Sequence, residues 1–167
     1  MLKKEKEDKK NMKVMNIKEW DNFLASNTIF NELEPSIVRL LVSCSAEATF
    51  LPGEIIIKAG DKADKFFLIK EGSVSVGIKF FDRNKIIDVL KEGNILGWAG
   101  VVAPFEESRF NCKAIEKTTV FVFNGKMIRE KCEKIPGLAF KLLKHFSEIL
   151  TERLYHTRLS ALGSYRL

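Results

Sequence analysis

Pro52-Gly53-Glu54-Ile55-Ile56-Ile57-Lys58-Ala59-Gly60-Asp61-Lys62-Ala63-Asp64-Lys65-Phe66-Phe67-Leu68-Ile69-Lys70-Glu71-Gly72-Ser73-Val74-Ser75-Val76 is where the chain declares its fold. Short apolar runs, 54–58 and 66–69, lie between glycines, and a strictly alternating run follows from Ser73 to Phe80. That run places Val74, Val76, Ile78 and Phe80 on one face, as a half-buried strand requires. Asp82-Arg83-Asn84 is predicted to turn the chain into a further strand, Lys85–Leu90. Phe110–Ala114 and Thr119–Phe123 complete the set of predicted strands. Seven of the ten glycines fall between Gly53 and Gly100, where they can supply positive-φ corners. Evenly spaced short strands with turn signals between them predict a sandwich or small barrel.

On either side the apolar spacing is helical. Ile17, Trp20, Phe23 and Leu24 suit a short amphipathic helix. Pro35 opens a second helix to Cys44, with Ile37, Leu40, Leu41 and Cys44 in one stripe. Beyond the strands, Met127, Ile128 and Cys132 mark a third helix, which Pro136 separates from a longer one over 137–159. The predicted fold is mainly β with flanking α: a β jelly-roll or barrel preceded by two short helices and followed by a C-terminal helix pair. Residues 1–16 read as a disordered basic tail, 17–160 as the domain (barrel about 48–124, helices about 125–160) and 161–167 as a second tail.

At 167 residues the chain fits one domain with a core of its own. No apolar run approaches the roughly 20 residues that span a bilayer, and no apolar segment follows the N-terminal lysines as in a secretory signal. The expected location is cytoplasmic. The net charge of +6 is unevenly spread: residues 1–18 hold seven lysines against three acids, and the remaining body is nearly balanced. A DNA-binding face concentrates Lys and Arg on the folded part, so nucleic acid is not expected as a partner, and without a spanning run neither is a membrane. The three cysteines, Cys44, Cys112 and Cys132, form no C-x-x-C pair, and no disulfide framework or metal site is predicted.

Taken together, Pro52-Gly53-Glu54, Gly60-Asp61, Ala63-Asp64, Phe66-Phe67, Gly72, Val74 and Val76, with Gly93, Gly97 and Ala114 further on, resemble a cyclic-nucleotide-binding domain of the catabolite-activator type. The resemblance covers about residues 29–158. It implies a sensor or regulatory module rather than an enzyme, with a cyclic nucleotide or another small anionic ligand as its cofactor-like partner. In that family one cassette carries the function: a glutamate after Phe-Gly bonds the ribose hydroxyl, and an arginine in Pro-Arg-Ala-Ala-Thr pairs with the cyclic phosphate.

Here the cassette reads Leu96-Gly97-Trp98-Ala99-Gly100-Val101 and then Ser108-Arg109-Phe110-Asn111-Cys112-Lys113-Ala114. It resembles single-domain members with Gly-Trp in place of Gly-Glu. Alignment on Ala114 puts Ser108 at the arginine position, with Arg109 one step late. Neighbours on a strand point to opposite faces, so Ser108, Phe110, Cys112 and Ala114 are expected on the core side and Arg109 on the other, unless a bend at the strand end swings it in. Ser108, Arg109 and Phe110 are candidate ligand-binding residues. Gly97 and the amides of Ala99, Gly100 and Val101 are candidates for an anion site at a helix start. The same residues would serve a simple closing turn. Trp98 either stacks on a planar ligand or fills the vacant pocket. Weak or altered nucleotide binding is the expectation.

Three further readings stay beside it. A protein-interaction module with a degenerate pocket fits the same residues. A sensor fragment of a DNA-binding regulator would need a helix-turn-helix that the nine residues after Arg158 cannot hold, and the chain is read as a stand-alone module. A metal-dependent jelly-roll enzyme would need histidines on barrel strands, whereas His145 and His156 both fall on the last helix. Leu150 and Leu154 extend the apolar stripe of that helix, and a homodimer seam is expected there.

Overall fold

A computed structural model describes residues 20, 23, 34–81, 83–98, 107–135 and 137–164. Contacts divide the chain into two compact units, 1–130 and 131–167. In the first, Trp20 and Phe23 are helical and buried. Helix α1 (Pro35–Ser43) starts on its proline, whose missing N–H would be unpaired there in any case, and buries Ile37 and Leu41.

Eight strands follow: β1 (Ser45–Phe50), β2 (Ile55–Ile57), β3 (Lys65–Glu71), β4 (Ser73–Phe80), β5 (Arg83–Lys91), β6 (Ile95–Leu96), β7 (Asn111–Ala114) and β8 (Thr118–Asn124). They form two four-stranded antiparallel sheets, ordered β1-β8-β3-β6 and β2-β7-β4-β5. This is the mainly β, jelly-roll-like fold that the glycine spacing predicts. The inner core draws Ala48, Phe67, Ile69, Val120 and Val122 from the first sheet and Val74, Leu90 and Cys112 from the second. The alternate residues of β3 and β8 go to the opposite face. There Trp20 stacks on Phe121 at 4.3 Å between ring centroids, and Phe66 stacks on Phe123 at 4.2 Å. Covered on both faces, β8 buries six residues in a row, Thr118 to Phe123.

Helix α2 (Gly125–Lys134) leaves β8 directly, with the Asn124 side chain accepting from the Met127 amide at 3.1 Å. The second unit is dominated by α3 (Leu138–Ser164). Leu138, Leu142 and Phe146, four apart, form its buried face, while Leu143, Leu150 and Leu154 are exposed. No helix among the described residues is long and apolar enough to cross a membrane.

Three details differ from the sequence reading. The β4–β5 turn comes before Arg83 rather than over Asp82-Arg83-Asn84, because Phe80 already pairs with Arg83. The last helix continues to Ser164 rather than stopping near 160. Phe110 is not a core residue: it is 43% exposed. The β7 ladder begins only at Asn111, and the preceding residues bond to the 60–62 loop instead. Strand alternation therefore does not carry back from Ala114 to Phe110. The predicted tail, 1–16, lies outside the described residues.

Candidate functional site

The cassette is delivered by β6. Gly93 donates to the Ile69 carbonyl at 2.9 Å, the Ile69 amide donates to the Asn94 carbonyl at 3.0 Å, and Leu96 pairs with Phe67. Asn94 fixes the corner with its side chain, accepting from the Lys91 amide at 3.1 Å. The chain then reaches Gly97 at a φ of 75°. A Cβ there would lie 2.9 Å from the Lys65 carbonyl oxygen and 3.1 Å from Ile57 Cδ1, so only glycine fits. Trp98 follows in the turn, half-buried. Ala99, Gly100 and Val101, the candidate amides of an anion site, lie outside the described residues.

The far side of the cassette is anchored on the same stretch. Lys62 and Glu107 form a β-bridge, Gly60 donates to the Ser108 carbonyl at 2.9 Å, and Ser108 donates to the Asp61 carbonyl at 2.7 Å. Gly97 meets Ile57 and Lys65, and Ser108 meets Gly60 and Asp61, so residues 57–65 brace both ends. Ser108 is half-buried, and its hydroxyl turns back on its own backbone, donating to the Phe110 carbonyl at 3.2 Å and accepting from the Phe110 amide at 3.4 Å. The Arg109 side chain is exposed, and so is that of Phe110.

Asn111 is a residue that sequence reasoning missed. Its Oδ1 accepts from the Ala59 amide at 3.0 Å and its Nδ2 donates to Asn84 Oδ1 at 3.1 Å, tying the β2 corner to the start of β5. An asparagine inside a predicted strand, where it is a poor strand former, was the available signal. Of the described cassette residues, Ser108 offers a hydroxyl and the residue after Gly97 an indole. Lys62 is drawn to Asp64 at 3.6 Å on the exposed side of the loop.

The two histidines do not meet here. His145 is 3.3 Å from Glu148 on its own helix, and His156 lies exposed beside Tyr155. Among the described residues no three His, Cys, Asp or Glu side chains gather as metal ligands would.

Comparison with known proteins follows this geometry. A cGMP-dependent protein kinase of Eimeria tenella is 28% identical over 156 residues, which cover 93% of this chain and 14% of the kinase. The chain thus spans about a seventh of that relative's length. Among solved structures, a cyclic nucleotide-binding domain from Methylobacillus flagellatus superposes with a TM-score of 0.77 at 19% identity, covering 93% of this chain and 87% of that one. A regulatory subunit of a cAMP-independent protein kinase A from Trypanosoma brucei, a triple mutant bound to cAMP in its A site, gives 0.67 at 21% identity over 85% of this chain and 51% of that one. The family model described as the cyclic nucleotide-binding domain matches residues 47–134, which include all of β2 to β8 and the whole of α2. By that match, this chain belongs to the cyclic nucleotide-binding domain family.

Proposed function

We propose that this chain is a sensor or regulatory domain whose pocket holds cyclic AMP and cyclic GMP only weakly, leaving the site to another small ligand or to a structural role. One observation carries the reading: the Ser108 hydroxyl, at the position of the phosphate-pairing arginine, is turned onto the Phe110 backbone. The exposed Arg109 and the Trp98 indole supply neither a buried cation for the phosphate nor a carboxylate for the ribose. A lost charge-assisted bond costs about 1.5–3 kcal/mol and the lost carboxylate about 1–3 more, or roughly two to four powers of ten in affinity. The trypanosomal subunit supports the reading. The kinase it belongs to is described as cAMP-independent, and the mutant described as bound to cAMP replaces a threonine with arginine and a glutamate and a valine with alanine.

Thermal denaturation tests this. A site intact at about 10 μM would gain about 2.7 kcal/mol from 1 mM nucleotide, a rise of about 5–10 °C for a domain of this size. The expected rise is below about 2 °C for either nucleotide, and Trp98→Glu with Ser108→Arg should enlarge it. A full rise that Arg109→Ala abolishes would overturn the proposal.

The reading includes self-association through α3. The exposed Leu143, Leu150 and Leu154 share a stripe with Ser147 and Thr157. Those hydroxyls already donate to the Leu143 and Arg153 carbonyls, each at 2.8 Å, so burying the stripe would strand no donor.

A further inference from the structure

We infer that the β4–β5 ribbon is a docking surface for an anionic lipid membrane. Among the described residues strand β5 is an edge, paired with β4 alone. Every residue of β5 from Arg83 to Val89 is exposed, while on β4 Val76 and Ile78 are half-buried and Lys79 is exposed. At its tip Phe81 is 83% exposed and has a φ of 53°, the only non-glycine positive value among the described residues. A bulky side chain is strained in that conformation, and burial in the protein does not offset the strain here. Behind the tip Ile86, Ile87 and Val89 are exposed. Lys79, Arg83 and Lys85 flank them, exposed and without an ion pair among the described residues.

The shape and charge select the partner. Edge pairing with a second copy, centred on Ile87, would set Arg83 against the other copy's Lys91. Asp88 Oδ1 also already holds the Val89 amide at 2.8 Å. A stable protein interface buries about 800 Å² of each partner around a packed apolar centre, whereas the exposed apolar side chains here are few and flanked by cations. A lipid surface asks for less: an apolar wedge in the headgroup region and cations beside the phosphates. Phe81 supplies the wedge, and Lys79 and Arg83 the cations. The Phe80–Arg83 pairing closes the backbone immediately behind the tip. The absence of a spanning segment, on which the sequence reading set membranes aside, does not bear on a ribbon that enters one leaflet only.

Sedimentation of the full chain with phosphatidylcholine vesicles, with and without about 30% phosphatidylserine, tests this. Binding should be at least about tenfold stronger with phosphatidylserine and fall as salt rises. Phe81→Asp should weaken it about tenfold, and Lys79→Glu with Arg83→Glu should remove most of the salt dependence. Both variants should melt with the parent. Failure to sediment at low salt would overturn the proposal and return the ribbon to a protein partner. Undiminished binding by both variants would overturn it too, assigning the binding to the seven lysines of residues 1–18.

Discussion

At Gly97 a single methyl group tests how tightly the cassette is seated. A Cβ would press on the Lys65 carbonyl at 2.9 Å, and the φ of 75° is itself unfavourable for alanine. Gly97→Ala is therefore expected to cost about 2–3 kcal/mol and to lower the melting temperature by about 5–10 °C, which calorimetry would measure. Cys132 offers a pH-dependent test. Burial pushes its thiol up, and the Glu133 charge adds to that. The folded state thus holds this proton more tightly than the unfolded one. Its contribution is whole below about pH 8.5 and is lost as pH rises through the folded pKa. At about pH 8, Cys132 should alkylate more slowly than a free cysteine, a difference that peptide mass spectrometry reads and denaturant removes.

Within the first sheet, an ion pair crosses the central strand. Lys70 of β3 reaches Glu47 of β1 at 2.8 Å, with its ammonium 5.5 Å from the centroid of the intervening Phe121 ring on β8. Both side chains are largely covered, so the pair is less screened than a surface bridge. Lys70→Met should cost about 1–2 kcal/mol, and a double-mutant cycle with Glu47→Gln should show coupling that about 0.5 M salt does not erase. On α3, Leu150→Asp with Leu154→Asp should convert a dimer to a monomer in sedimentation analysis, and an unchanged mass would exclude that seam. The sequence made some elements easier to read than others. Strand β4 alternates in sequence and buries Val74 with Val76 packed beside the core, and Gly72 turns the chain into it, but the bulge between Val76 and Gly77 left no mark in the pattern. Strand β1, Ser-Ala-Glu-Ala-Thr-Phe, alternates too, but its apolar face is mostly small alanines, poor strand formers, with only Ala48 buried; its pairing with β8 makes it a strand. Strand β6 is two residues long and carries no period at all. In the site, Gly97 was legible through its spacing. The Phe110 assignment failed where the chain leaves one ladder for another, a change of hydrogen-bond partner that local pattern does not encode.

For the whole molecule, the boundary of what is needed should be sharp. Residues 1–13 contain few apolar side chains, and deleting them should cost less than about 0.5 kcal/mol. Extending the deletion through Phe23 removes Trp20 from the Phe121 face and should cost at least about 3–5 kcal/mol. Denaturant titration of the two truncations would separate them. The place of β8 has a consequence for how the molecule comes into being. Strand β1 waits for β8, with Ser45 matched to Phe123, and β3 waits for it too. During synthesis neither strand can find its main partner until Asn124 has left the ribosome, so the aromatic faces of β3 and of the Trp20 helix emerge uncovered. Such late, distant pairing sets folding in the millisecond-to-second range. A nascent chain halted before β8 would be a natural client for chaperones, however sound its earlier strands.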